Sequence, residues 1–379
     1  MTLCAVIVFM SASTVHYQSP MLARLAVEFG ATPAAIGWIP TLAFAGFLAG
    51  IVLLVPLGDR VDKRRLIVAH LAALVVSVLA MAVAPSLPWL WAASFAIGAA
   101  ASLSQYVVPL AVELSPPGKA GAAVGTVMSG LFLGILFGRL AGGFVAATIG
   151  WRWMYVAAAV MLVVLLAAAQ AWLPASPPRV THRYAALLRS LATLYRRERL
   201  LRRASAVQFL LALGYGGFWA TVAAMLASAH GYGPAVAGLI GIPGAAGVLV
   251  ARPAGAMLDR RGAGPVVTTG VIVFVLAFVT LAFAPLSMVA VIVGAALLDC
   301  GLRAAMVANQ TLVTSVDPQA RSRLNTIFQA HLWGGNAVGA ALAGWLYTHF
   351  GWQPVCHAIV VAALVALLVQ RMGRDGTAT

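Results

Sequence analysis

The stretch Val55–Arg65, VPLGDRVDKRR, decides how the rest of the chain is read. An apolar run breaks there into Asp59, Arg60, Asp62, Lys63, Arg64 and Arg65, and a second apolar run opens at Leu66. A weaker copy, GAMLDRRG at Gly255–Gly262, also joins two apolar runs, and its Asp259 lies 200 residues after Asp59. Two charged hairpins so placed predict a duplicated, all-α integral membrane protein.

Composition fixes the solvent. Of the 379 residues 62% are hydrophobic and only 9% charged, too apolar for a soluble domain. A bilayer-spanning helix needs about 20 apolar residues, and the chain has room for twelve of them, short loops and one longer connection. Cys4, Cys300 and Cys356 all fall in apolar runs, without the spacing of a disulfide framework or a zinc site, and read as small core residues. No metal or cofactor is expected.

The net charge of +15 is read by position. Inner loops collect Lys and Arg. With the Asp59 hairpin inside, that side holds nineteen cations, among them Lys119 and the eight arginines from Arg179 to Arg203, against Arg152 alone on the other side. This orientation puts both termini in the cytoplasm and makes nucleic acid a poor candidate partner.

In chain order the predicted spans are 3–25, 33–57, 66–84, a fourth ending near Val112, 121–149 and 153–173, then 206–228, 234–258, 266–284, 288–313, 324–349 and 354–369. Span 1 has no charged leader or clear cleavage pattern and reads as retained. Its Ser11, Ser13, Thr14, His16, Tyr17, Gln18 and Pro20 form a mid-depth polar cluster that predicts a bend and a face turned from lipid. Span 5 carries Gly121, Gly125, Gly130, Gly134, Gly138, Gly142 and Gly143, mostly at a spacing of four, which predicts close helix packing. Between the halves, Tyr184, Leu187, Leu188, Leu191, Leu194 and Tyr195 recur at helical spacing under an arginine-rich face, as in an amphipathic linker lying on the membrane surface.

Landmarks recur at a constant offset. Pro33 and Gly37 match Pro234 and Gly238, Pro117 matches Pro318, and Gly150-Trp151 matches Gly351-Trp352, each 201 residues apart. The expected domains are a six-helix bundle at 1–173, a cytoplasmic linker at 174–204 and a second bundle at 205–379, related by a pseudo-twofold axis along the membrane normal.

VPLGDRVDKRR resembles the loop signature of the major facilitator superfamily, and GAMLDRRG resembles its second-half echo. Gly138-Arg139-Leu140-Ala141-Gly142-Gly143 resembles the family's fifth-helix antiporter signature, while Leu297–Asp299 and Ala320–Thr326 resemble bacterial members of its drug, metabolite and sugar efflux branch. The resemblance covers the whole chain. It implies a monomeric secondary active transporter in a bacterial inner membrane, moving a small organic compound by alternating access, with proton-coupled efflux as the first reading. Three departures stand out: Val55 and Asp62 replace the two glycines of the loop signature, Arg139 replaces the proline of the antiporter signature, and Ser94 stands where proton-coupled antiporters often carry an arginine. They leave open proton-coupled uptake of an organic anion, such as a carboxylate metabolite or siderophore. A non-transporting sensor is a further alternative. The sequence contains none of the nucleophile-elbow, zincin or Walker motifs an enzyme or ATPase would show, and an intramembrane hydrolase built on His16 or Asp299 is the remaining enzymatic reading.

Candidate residues follow from charge and polarity at depth. Arg139, Asp299 and Arg303 would each cost roughly 2.5 to 3.5 kcal/mol against lipid, so they face protein or water. Asp299 and Arg303, at i and i+4, are read either as a structural pair or as handlers of substrate or proton. Arg139 is read as an anion contact or as packing against a carbonyl or acid, and His16 as a proton relay or an ordinary structural histidine. Tyr17, Gln18, Gln105, Tyr215, Trp219, Asn309, Gln310, Gln329, His331 and Asn336 complete the predicted pathway, though each alone could bond a neighbouring backbone. For the gating loops, resemblance and repeat symmetry imply that Asp59 approaches the start of span 11 and Arg60 or Arg64 reaches Glu113, mirrored by Asp259, Arg260 and Asp317. The bland alternative is that these charges only fix topology.

Overall fold

The computed structural model describes residues 1–116, 119–176, 184–317 and 320–372. The landmarks Pro117 and Pro318 and the side chain of Asp59 lie outside the described set. Nine helices or helix runs among the described residues are long and apolar enough to cross a membrane, and a shorter apolar stretch spans Pro234–Ala245. Span 1 bends as its polar cluster requires: α1 (Thr2–His16) gives way to a 3₁₀ turn at Ser19–Met21 and then α2 (Leu22–Glu28). Span 2 is α3 (Pro33–Ala49), followed by a π segment (Gly50–Leu54) and a 3₁₀ turn (Val55–Asp59). Where that ladder loosens near Pro56, the carbonyls of Leu53 and Leu54 accept hydroxyl hydrogens from Tyr184 and Tyr106. Spans 3 to 6 are α4 (Lys63–Ala82), the interrupted pair α5 (Leu87–Ala101) and α6 (Ser104–Glu113), α7 (Ala120–Thr148) and α8 (Trp151–Trp172). After the linker helix α9 (Tyr184–Arg197) come α10 (Arg199–His230), α11 (Pro234–Leu239), a 3₁₀ turn at Pro243–Ala245, α12 (Gly247–Arg261), α13 (Ala263–Leu281), α14 (Met288–Ser315), α15 (Arg321–Phe350) and α16 (Trp352–Met372).

Asp62, the extra anion of the first hairpin, has a local role. Its Oδ1 accepts from the backbone N–H groups of Arg64 at 2.7 Å and Arg65 at 3.4 Å, capping the first turn of α4.

The chain forms two compact units. Unit 1 comprises Met1–Gly30, Leu42–Leu188 and Gly233–Leu239. Its spine is the crossing of α1 and α7, where a Cβ on Gly130, Gly134, Gly138 or Gly142 would intrude on the backbone carbonyls of Ala5, Phe9, Ser13 and Tyr17 respectively. Four glycines on α7 thus meet three residues of α1 and Tyr17, which caps its C-terminus, at the same spacing, and helix packing in lipid depends on such close approach. Unit 2 comprises Ala31–Thr41, Arg189–Tyr232 and Ile240–Thr379. There Gly335 and Gly339 of α15 meet the carbonyls of Phe209 and Leu213 on α10, which repeats the first crossing 201 residues on from Gly134 and Gly138. The landmark glycines keep a common backbone role, Gly150 at φ +103° and Gly351 at φ +78°, a region that glycine enters without steric cost.

The linker helix α9 has a partner inside the protein. Leu191, Leu194 and Tyr195 of α9 pack on a core of unit 2 that includes Leu201, Val313, Leu324 and Phe328, and Tyr195 stacks on His331 with ring centroids 5.0 Å apart. These residues cover apolar ends of α10, α14 and α15. One correction concerns the cation-poor end of unit 1, where Arg24 joins Arg152: Arg24 donates to the Ala146 carbonyl and Arg152 pairs with Glu28. Burial works against the charge on Glu28, but hydrogen bonds from Arg152 and Trp151 and the charges of Arg152 and Arg24 outweigh it and hold the carboxyl below its usual range.

Candidate functional site

In unit 1 the predicted residues gather on the crossing of α1 and α7. His16 Nδ1 lies 2.8 Å from the Ala12 carbonyl, so that nitrogen carries the proton in the neutral ring. Tyr17 packs edge-on against Tyr155, and Gln18 Oε1 accepts from Ser94 at 3.4 Å. Ser94 thereby places a neutral hydroxyl where the family resemblance leads one to look for an arginine. Arg139 is 2% exposed, between Gly138 and Gly142, and its carbonyl supports the close approach of Gly238 from α11. Gln105 is half-buried on α6.

In unit 2 the decisive group is Asp299, 1% exposed. Its Oδ2 accepts from the backbone N–H of Gly247 at 3.1 Å. Gly247 is the first residue of α12, so the carboxylate satisfies one of the N–H groups that a helix start leaves without an intrahelical partner, and the helix dipole favours its negative charge. Its Oδ1 faces Arg303 Nε at 3.4 Å, an ion-pair distance. Arg303 also interacts with the hydroxyl of Tyr215, whose ring lies 6.3 Å from that of Trp219. Trp219 in turn rests against Gly244 in the turn before α12. The structure therefore brings Tyr215, Trp219, Asp299 and Arg303 together around the break in span 8.

The internal repeat explains that break. Subtracting 201 maps Gly247, Asp299 and Arg303 onto Gly46, Gly98 and Ser102. In unit 1, Gly46 and Gly98 let the second and fourth spans touch backbone to backbone, at Phe95 and Ala43. In unit 2 a carboxylate stands where Gly98 has only hydrogen. Span 8 opens from Ile240 to Ala246, aided by Pro243, and the freed Gly247 N–H meets Asp299.

Other predicted residues lie apart from this group. Gln310 donates to Asn325 at 2.8 Å, Asn336 Nδ2 donates to the Leu332 carbonyl at 3.0 Å, and His331 Nε2 lies 3.2 Å from the Tyr195 hydroxyl. Gln329 is half-buried, with an Oε1 that has no hydrogen-bond partner. Asn309 is fully buried, and neither of its side-chain polar atoms has a hydrogen-bond partner. Gln208 on α10 is in the same condition and was missed in the sequence, where a single amide at the start of an apolar run carries no signal. Ala204 and Val313, one turn from Gln208 and Asn309 respectively, belong to one packed cluster.

Among the loop residues, Glu113 pairs with Lys63, and its Oε2 accepts from Ser176 at 3.0 Å. This corrects the expectation that Arg60 or Arg64 reaches Glu113. Arg64 instead donates to the Gln170 carbonyl, and Arg60 is exposed. The first turn of α4, fixed by Asp62, is what aims Lys63 and Arg64 apart. Asp259 and Arg260 are exposed, and Asp317 is half-buried.

A model of the Major Facilitator Superfamily matches residues 1–201 and 204–374. The chain belongs to this superfamily. It is 34% identical to the uncharacterized transporter YgaY of Escherichia coli O157:H7, over 96% of this chain and 94% of that one. It is 33% identical to the "Probable transporter SCO4007" of Streptomyces coelicolor, over 93% and 83%. Among solved structures, a point mutant of the nucleoside transporter NupG superposes with a TM-score of 0.81 at 13% identity, over 98% of each chain, a likeness of fold. This major facilitator protein is an integral membrane transporter with the twelve-span fold of the superfamily.

Proposed function

We propose that the protein is a proton-coupled exporter of a small organic compound, working by rocking of two six-helix bundles, residues 1–173 and 205–379, joined by the linker 174–204. Asp299 is the proton carrier and Arg303 the cation that competes with the proton for it. One observation carries this reading: a carboxylate 1% exposed whose Oδ1 faces a guanidinium at 3.4 Å, so that a proton and a cation compete for the same oxygen. A proton arriving on Oδ1 neutralises Asp299 and releases Arg303, and its departure restores the pair. The direction of transport rests on the resemblance of Gly138–Gly143 to the antiporter signature. In this reading the transporter sits as a monomer in a bacterial inner membrane with both termini cytoplasmic.

Arg139 supports a second reading, proton-coupled uptake of an organic anion, because a deeply buried guanidinium suits bidentate recognition of a carboxylate. Proteoliposomes with an imposed pH gradient separate the two. Export predicts that candidate compounds and protons move in opposite directions and that Asp299→Asn uncouples them. Co-movement of protons and a carboxylate, lost in Arg139→Ala, decides for uptake.

A further inference from the structure

The bond between Asp299 and Gly247 links a charge to a movable piece of backbone. The eighth span is discontinuous: α11 ends at Leu239, a 3₁₀ turn occupies Pro243–Ala245, and α12 restarts at Gly247. At the restart the Gly247 N–H bonds to a side chain 52 residues away. A Cβ on Gly247 would come within 2.5 Å of Asp299 Oδ2 and 2.6 Å of Arg303 Cγ, so the carboxylate reaches this backbone only because residue 247 has no side chain. In the first repeat the equivalent crossing, Gly46 with Gly98, is purely backbone and carries no charge.

We propose that ionised Asp299 holds the start of α12 in place, that a proton on Asp299 releases it, and that Gly247 is the positioning residue that admits the carboxylate to the helix end. This rests on the reading of Asp299 as the proton carrier and gives that proton a mechanical consequence. While Asp299 is ionised, its attraction to the Gly247 N–H, to the positive end of the α12 dipole and to Arg303 all favour the seated helix. Neutralising it removes the charge from each of these contacts. The contact to Gly247 is then an ordinary or broken hydrogen bond, and the discontinuity at Ile240–Ala246 gives α12 freedom to shift. Among the described side chains, the titratable groups bearing on Asp299 are Arg303 and Cys300 from its own helix and, through Arg303, Tyr215 from α10, while α12 presents the Gly247 backbone.

The sign follows from the charge: α12 is seated above the pH at which Asp299 takes up its proton and released below it. Hydrogen bonds to charged groups contribute enough that their loss changes an opening equilibrium by about ten- to hundredfold. Hydrogen–deuterium exchange of the full chain in lipid nanodiscs, without substrate and corrected for intrinsic exchange, reads this at peptides covering 246–258. The expected result for the parent is a ten- to hundredfold loss of protection in these peptides between two pH values on either side of Asp299 protonation, with none in peptides of α15. Asp299→Asn exchanges fast at both pH values. Because that variant leaves Arg303 unbalanced and can compromise folding, Gly247→Ala is measured beside it. It keeps both charges, displaces the carboxylate and should also lose the pH response. Equal protection of the parent at both pH values, or a persisting pH response in either variant, overturns the proposal. The proton-carrier reading is scored separately by coupled transport: if Asp299→Asn uncouples transport but α12 protection never followed pH, that reading stands and this one falls. If protection follows Asp299 while transport in the parent ignores the pH gradient, the reverse holds.

Discussion

A methyl group at Gly142 tests the spine of unit 1. There it would lie 2.5 Å from the Tyr17 carbonyl oxygen and 3.0 Å from the Tyr17 Cα, both backbone at the C-cap of α1. Restoring a carbon–oxygen contact of about 3.2 Å requires α1 and α7 to separate by roughly 0.7 Å, and gaps of that size forfeit a quarter to a half of each dispersion contact. Since Gly130, Gly134 and Gly138 sit on the same line, the loss spreads along the crossing. The expected cost of Gly142→Ala is about 1 to 3 kcal/mol, the usual range for overpacking. Gly125→Ala on the same helix is the control, because a Cβ there meets nothing within 4 Å. That change should be neutral or stabilising by up to about 1 kcal/mol, the gain of alanine over glycine in a helix. Both variants and the parent would be compared by denaturant or heat titration in one detergent, scoring the monodisperse fraction. Equal effects of the two substitutions would refute the claim that close backbone approach, rather than helix propensity, selects glycine at 142.

Asp62→Ala removes the cap of α4 and should lower stability by about 1 kcal/mol, while Asp62→Ser retains most of it; the same titration reads both. Glu28 is held below its usual range, so its contribution is present above the unfolded carboxyl pKa and lost as pH falls through the lower folded value. Its side chain and that of Arg152 are about a third or more exposed, so Glu28→Gln should cost less than about 1 kcal/mol at neutral pH and flatten the acid limb of a stability–pH profile. Tyr195→Ala should expose α9 to limited proteolysis between Arg189 and Arg199, whereas Tyr195→Phe, which keeps the ring stacked on His331, should leave it protected. Equal cleavage of the two variants would place the anchorage elsewhere.

Much of the architecture was legible because lipid enforces it. Backbone polar groups in a bilayer must be satisfied internally, so each long apolar run had one available form, and helix starts such as Pro33, Pro234 and Met288 were readable from the sequence. Glycines at a spacing of four on α7 foretold tight packing, and the structure supplied the partner face on α1. The linker was harder. Its periodicity fixes that α9 is amphipathic, but an apolar stripe looks the same whether it meets lipid or Leu201, Leu324 and Phe328. Lys63 was overlooked for a similar reason: in the run Lys63-Arg64-Arg65, only the helix phase set by Asp62 decides which one reaches Glu113. Gln208 had no local pattern at all.

The candidate site arises where the two halves stop resembling each other. Duplication gives both halves the same need, a close crossing of the second and fourth spans, and the first half meets it with Gly46 and Gly98. At the equivalent crossing the second half keeps the first glycine, Gly247, and replaces the second with Asp299. A buried carboxylate against a continuous helix would find every N–H already bonded, and its desolvation would go uncompensated. Breaking span 8 supplies the missing donor, and Arg303 at the next turn supplies a countercharge. The three features therefore depend on one another, and altering one should expose the others. Gly98→Asp in the first half would insert a carboxylate beside Ala43 and Phe47 with span 2 still unbroken. It should be far more destabilising than Asp299→Gly, which removes a charge from a site that already has its gap. If Gly98→Asp is tolerated as well as Asp299→Gly in the same unfolding assay, the break in span 8 is not what makes room for the acid.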